Sequence, residues 1–315
     1  MKVVALAGGV GGAKLADGIS RLVPKVDLSV IVNTGDDFTH FGLNISPDLD
    51  TVCYNLAGFE NPETGWGRAS DNMETMETIL HLGGPDWFSL GNLDLATHLE
   101  RTRRLEDGDL LSSITADFCR VWGIKSRIIP MSDDPVPTLV KTDRGIMPFQ
   151  EYYVKLGTEP SVSGFIFQDI DKAKPAPGVL SVIEDADLVV ICPSNPWVSI
   201  DPILSVPGIR LAVEKKVVLA ISPIIDGKAV KGPAAKMYQE MGVAPSATAV
   251  AEHYRGLLTG FIIDQRDQNL IQEIFSSYDG KLNILYSDTL MKTHLDRIRL
   301  AGEVIIFGKQ LIKEA

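Results

Sequence analysis

The sequence predicts an α/β fold built on a doubly wound, mostly parallel sheet, with a small accessory subdomain attached. Short apolar runs rich in β-branched residues recur at residues 3–7, 28–32, 124–130, 188–192, 217–221 and 260–263. None alternates cleanly, which is how strands buried on both faces read. Helical stretches lie between them, at residues 13–22, 72–82, 94–106 and 234–241. Strands that alternate with helices imply βαβ units and a parallel sheet.

One stretch departs from that rhythm. Residues 135–153 read as two short strands around an Asp143-Arg144-Gly145 turn, and residues 171–178, with Pro175 and Pro177, as a connection back to the sheet. The expected organisation is a core of residues 1–134 and 181–315 with an accessory subdomain at 135–180.

Composition narrows the function classes. Among 315 residues, 45% are apolar and 23% charged, enough to bury a core and to exclude disorder as the main state. Thirty Lys and Arg against 41 Asp and Glu give a net charge of −11. No global positive field exists to draw nucleic acid or an anionic membrane, although a local phosphate site stays open. No run reaches the roughly 18 apolar residues of a membrane span. The opening strand turns into glycines too soon for a signal peptide. A soluble, cytoplasmic protein is expected. Cys53, Cys119 and Cys192 are odd in number and widely spaced, which disfavours a disulfide framework or a zinc cage. Each sits in an apolar run and is expected to be a buried, inert thiol.

Chemistry-bearing residues cluster after the strands. Gly8-Gly9-Val10-Gly11-Gly12-Ala13-Lys14-Leu15 follows the first strand and opens a helix. Glycines let backbone N–H groups approach a phosphate, and a helix N-terminus favours an anion. The segment is neither a P-loop nor a strict G-x-G-x-x-G. After the second strand come Asn33-Thr34-Gly35-Asp36-Asp37 and Ser46-Pro47-Asp48-Leu49-Asp50-Thr51. Acids at the strand ends of a parallel sheet can hold a cation or accept a proton. The competing reading is helix capping, with Asp48 or Asp50 as the N-cap of a helix over residues 52–57. Pro193-Ser194-Asn195-Pro196, Ser222-Pro223-Ile224-Ile225-Asp226-Gly227 and Lys231-Gly232-Pro233 follow later strands and point to the same crevice. The five histidines show no ligand spacing, and no nucleophile elbow supports covalent catalysis.

Six of these segments, in order, carry a resemblance. They are the glycine turn, Asn33-Thr34-Gly35-Asp36-Asp37, Ile45-Ser46-Pro47-Asp48-Leu49-Asp50-Thr51, Leu90-Gly91-Asn92-Leu93-Asp94-Leu95-Ala96-Thr97-His98, Pro130-Met131-Ser132-Asp133-Asp134-Pro135 and Pro193-Ser194-Asn195-Pro196. Together they resemble the 2-phospho-L-lactate transferases, the CofD/FbiA family of coenzyme F420 biosynthesis. The likeness continues through Ala251-Glu252-His253-Tyr254, Asp264-Gln265-Arg266-Asp267 and Ser287-Asp288-Thr289-Leu290, and so covers nearly the whole chain.

The resemblance implies a Rossmann-like core, a homodimer and a magnesium-dependent transfer. A 2-phospholactyl or phosphoenolpyruvyl group would pass from a guanosine diphosphate donor to the deazaflavin Fo, releasing GMP. Carried onto these residues, Gly8, Gly9, Gly11, Gly12, Lys14, Ser194 and Asn195 are expected at the guanosine nucleotide, with the glycine turn and Ser194-Asn195 on opposite sides of the crevice. Asp50, Asn92, Asp94 and His98 are expected at Fo. Asp36, Asp37, Asp48 and Asp50 are expected at the metal, and Asp48 and Asp50 at the chemistry. One departure stands out: family members commonly have Asp and then a basic residue where this chain has Asn92-Leu93, which removes a cation beside Fo. Two other readings share the core, a nucleotide-sugar-binding regulator and a nucleotide-dependent dehydrogenase. The Ile45–Asp50 and Leu90–His98 segments favour the transferase, because a sensor needs no second-substrate pocket.

Overall fold

The computed structural model describes residues 1–22 and 26–314; residues 23–25 and 315 of the expected core lie outside them. Seven strands form the central sheet: β1 (Lys2–Ala7), β2 (Asp27–Val32), β3 (Arg127–Pro130), β4 (Leu188–Ile191), β5 (Val218–Ile221), β6 (Gly260–Asp264) and β7 (Asn283–Ser287). Their order across the sheet is β7-β6-β5-β4-β1-β2-β3. Every pairing in it is parallel. The chain winds outward from β1 to β3, then returns to β4 and winds the other way. The reversal lies between β1 and β4, and ligands of open α/β sheets bind beyond the carboxyl ends of the strands at that switch point.

Alternate residues of each strand serve two cores. Val4, Leu6, Val189 and Ile191 face one layer, packed with residues such as Ile203, Val213 and Val250. Val3, Ala5, Ala7, Leu188 and Val190 face the other. That second layer holds α1 (Gly9–Ser20), α2 (Pro47–Ala57) and α5 (His294–Glu314), with Leu15, Val52 and Val304 among the contacts. Burial on both faces is why the strands read as continuous apolar runs. Two further helices, α3 (Asn92–Glu106) and α4 (Leu111–Val121), lie between β2 and β3 in the chain.

Differences from the sequence reading have local causes. β7 was not expected, because Asn283-Ile284-Leu285-Tyr286-Ser287 is an edge strand with no fully buried residue. α1 begins at Gly9 rather than Ala13, since tertiary contacts hold glycines that have poor helix propensity of their own. α2 begins at Pro47, with Ser46 as its N-cap residue, so neither Asp48 nor Asp50 caps it. Proline at the first helical position loses nothing, because its missing N–H would have had no partner there.

The 135–180 segment carries its own antiparallel sheet of Thr138–Thr142, Gly145–Pro148 and Val162–Phe167. Its third strand was not expected. A small core of Val140, Phe149, Tyr152 and Val162 closes against Val198 and Met237 from the rest of the chain. Between the second and third strands the backbone makes a π-helical turn at Glu151–Lys155. Among the described residues, no helix is long and apolar enough to cross a membrane. All three cysteines are buried and free. Cys53 and Cys119, distant in sequence, lie with their sulfurs 3.9 Å apart between α2 and α4.

Candidate active site

A cleft of about 690 Å³ opens at the switch point. It takes in the turn after β1, the N-terminus of α2, the turn after β4, the 222–234 segment after β5 and Thr289-Leu290-Met291 after β7. The sequence places the exits of β1, β2, β4 and β5 at one crevice and the topology brings them there; the β7 exit is an addition.

The first turn is tightly built. Gly9 has φ +62°, a left-handed conformation that glycine adopts without strain. Its N–H donates to Asp48 Oδ1 at 2.7 Å. The Gly8 N–H donates to Ser194 Oγ at 3.1 Å, and that hydroxyl donates back to the Gly8 carbonyl at 2.8 Å. A Cβ on Gly11 would stand 2.2 Å from the Pro193 carbonyl oxygen, and one on Gly12 would stand 2.5 Å from Ser194 Oγ. The glycine turn and Ser194 are therefore in direct contact, which corrects the expectation of opposite walls. Neighbouring strands β1 and β4 deliver them side by side. Asn195 accepts from the Trp197 N–H at 3.0 Å and shapes the turn after β4. With Gly8 and Gly9 engaged, the open amides at the head of α1 begin at Val10. Lys14, one turn further on, reaches the Met291 carbonyl at 3.0 Å. Burial, then the charges of Arg297 and Lys231, lower its pKa.

The four acids separate into distinct environments. Asp48 is 6% exposed and lines the cleft. Besides Gly9, its carboxylate accepts from Asn33 Nδ2 at 2.9 Å. Burial raises its pKa to about 6, against the two hydrogen bonds that lower it. Asp36 also lines the cleft; burial and then the Asp48 charge push its pKa well up, and its Oδ1 is buried with no partner. Asp37 lies off the cleft lining and accepts from Ser46 Oγ at 2.7 Å. Asp50 meets the buried Arg101 guanidinium with both oxygens, Nη1 at 3.0 Å and Nη2 closer still. Among the described residues, no three His, Cys, Asp or Glu side chains are gathered as a metal site.

Asp50 belongs instead to a polar network at the acceptor end expected from sequence. His98 Nδ1 lies 3.2 Å from Arg101 Nη1. Arginine only donates, so His98 accepts there and carries its proton on Nε2. That Nε2 lies 3.5 Å from Asp94 Oδ1, which accepts from the Tyr54 hydroxyl at 2.7 Å. Asp50, Tyr54, Asp94 and His98 all line the cleft, whereas Asn92 does not. The Asn92 side chain accepts from the Thr75 N–H at 3.3 Å, which ties the start of α3 to the short helix Glu74–His81.

Asn33 belongs to a segment the sequence singles out, but without a role of its own there. It is fully buried, and besides holding Asp48 it donates to the Val198 carbonyl at 3.1 Å and accepts from the Gly35 N–H at 2.8 Å. Other site residues escape the sequence reading altogether. Arg101 gives no signal, since an arginine on a helix rich in charge reads as solvated. Phe149, Gln150 and Tyr153 reach the cleft from the accessory subdomain, a contact between segments that periodicity cannot show.

The sequence model of the 2-phospho-L-lactate transferase CofD family matches residues 3–293. The chain belongs to this family of transferases. The phosphoenolpyruvate transferase of Streptomyces coelicolor is 44% identical over 324 residues, covering 100% of both chains. The 2-phospho-L-lactate transferase of Methanosarcina mazei is 40% identical over 304 residues, covering 96% of this chain and 99% of its own. Among solved structures, a UPF0052 family member from Bacillus halodurans superposes with a TM-score of 0.63 at 15% identity, covering 96% of this chain and 99% of its own. That likeness shows the shared α/β fold.

Proposed function

We propose that the chain transfers a three-carbon phosphoacid, enolpyruvyl or lactyl, from a guanosine diphosphate carrier to the terminal ribityl hydroxyl of the deazaflavin Fo. The names borne by the relatives supply the transferred group, and the family resemblance supplies the guanosine carrier and Fo. The observation that carries the reading is Asp48: a carboxylate at the switch point, fixed by Gly9 and Asn33, beside the glycine-rich head of α1. The Fo hydroxyl oxygen attacks the distal phosphorus, the bond from that phosphorus to GMP breaks, and a phosphodiester forms. The hydroxyl proton passes to Asp48, whose pKa near neutrality suits a general base. Displacement at phosphorus needs positioning and charge neutralisation more than a protein nucleophile.

The remaining residues divide the work. Open amides at the head of α1, with Lys14 and Lys231, face the diphosphate. Asp36 suits a magnesium ion, since it offers hard oxygens and its buried Oδ1 has no partner among the described residues, while Asp48, held by Gly9 and Asn33, is kept for the proton. When bound, that ion neutralises diphosphate charge. Asp50 drops out of the metal and catalytic roles in this reading, because Arg101 holds both its oxygens; with Tyr54, Asp94 and His98 it shapes the acceptor end. Assembly as a homodimer and a cytoplasmic location belong to the same proposal.

Titration with GDP and Fo in the presence of magnesium tests the assignment. Binding of both ligands at once is expected. Binding of a UDP-sugar alone would make the protein a regulator and end the proposal.

A further inference from the structure

The segment after the second accessory strand brings Phe149, Gln150 and Tyr153 to the cleft, and the proposed reaction leaves them without an assignment. Gln150 is only 6% exposed, yet it lines the cleft, and no hydrogen bond joins its amide to another described residue. Its amide atoms reach the open cleft rather than being sealed from water, so its donors and acceptor are free to exchange water for a ligand. Tyr153 follows three residues later and stacks on Phe149, with ring centroids 5.5 Å apart at 11°. Gln150 and Tyr153 line the same cleft as Gly8, Gly9, Asp36 and Asp48, the groups assigned to the reacting end of the donor. The charges of Asp36 and Asp48 add to burial in raising the Tyr153 pKa. Tyr153 sits in the π-helical turn Glu151–Lys155, which Gln150 immediately precedes; such widened turns are often found at functional sites.

The group to be transferred carries a carboxylate next to its phosphate. No arginine is among the described residues that line the cleft, and Arg101 is committed to Asp50. The lining lysines, Lys14 and Lys231, lie close enough to act on each other's charge beside the glycine turn. Apart from the magnesium ion proposed at Asp36, the side chains the cleft offers a carboxylate away from the lysines are neutral donors. We infer that Gln150 and Tyr153 form the subsite that binds the carboxylate of the three-carbon acid, making the accessory subdomain the element that selects the donor. This inference rests on the proposed transfer reaction.

The experiment compares two probes, GDP and enolpyruvyl-diphosphoguanosine, which differ by the acid. Gln150→Glu sets an anion against the carboxylate, and Tyr153→Phe removes the hydroxyl while keeping the aromatic stack. Each variant is expected to bind the donor about 10–100-fold more weakly, the range for hydrogen bonds to a charged group, with GDP affinity at the wild-type value. Equal losses for both probes, or no loss for either, would overturn the inference. Transfer by wild type to Fo is measured alongside. Its absence would sink the proposed reaction, while the two-probe comparison still judges the subsite.

Discussion

A carboxylate taken out of water keeps its charge only where something holds it. Asp48 has two hydrogen-bond donors and, among the described residues, no paired cation, and its pKa stands near 6. A buried acid whose folded pKa exceeds its unfolded value binds more protons when folded, so its stabilising contribution is present at low pH. That contribution is lost as pH rises from about 4 to about 6. The melting temperature of metal-free wild type, relative to Asp48→Asn, should fall across that window; a rise would contradict the assignment. Asp50 is the opposite case. Arg101→Leu would strand its buried charge and cost about 3–5 kcal/mol, seen as a lowered denaturation midpoint. Loss of activity at full stability would mean that Arg101 touches substrate instead. Sequence named both acids as equals, because type and spacing do not reveal that an arginine 51 residues away claims one of them.

Among the elements, the glycine turn is where the sequence reading was informative and incomplete. Its position after β1 and its glycines were legible. Room for a phosphate, the purpose the glycines suggest, would make Gly11→Val weaken GDP binding and leave the fold intact. The Pro193 carbonyl, 2.2 Å from a Cβ at Gly11, makes that residue a packing requirement between α1 and the turn after β4. Gly11→Val should therefore melt well below wild type, by about 1–3 kcal/mol in stability, as overpacking of tight sites does. An unchanged melting temperature would return Gly11 to the ligand. The buried strands were legible for a physical reason, since apolar burial on both faces leaves an unbroken signature. β7 and the third accessory strand were not, because half-exposed edges carry mixed residues.

For the whole molecule, order in the sequence becomes convergence in space. The β1, β2, β4 and β5 exits are spread over two hundred residues and meet in one cleft because the winding reverses between β1 and β4. That the strand ends share a crevice could be argued from the parallel sheet alone. That the accessory subdomain forms part of its wall could not, since only the packing of Val140 and Tyr152 against Val198 and Met237 brings Gln150 there. The account turns on Asp48 as the group that takes the hydroxyl proton during transfer to Fo. Steady-state turnover of Asp48→Asn, with Fo and GDP affinities measured on the same protein, tests this most directly. The account predicts turnover lower by about 10²–10⁴-fold with Fo and GDP still bound, the loss expected of a missing general base. A variant that turns over at the wild-type rate would contradict it.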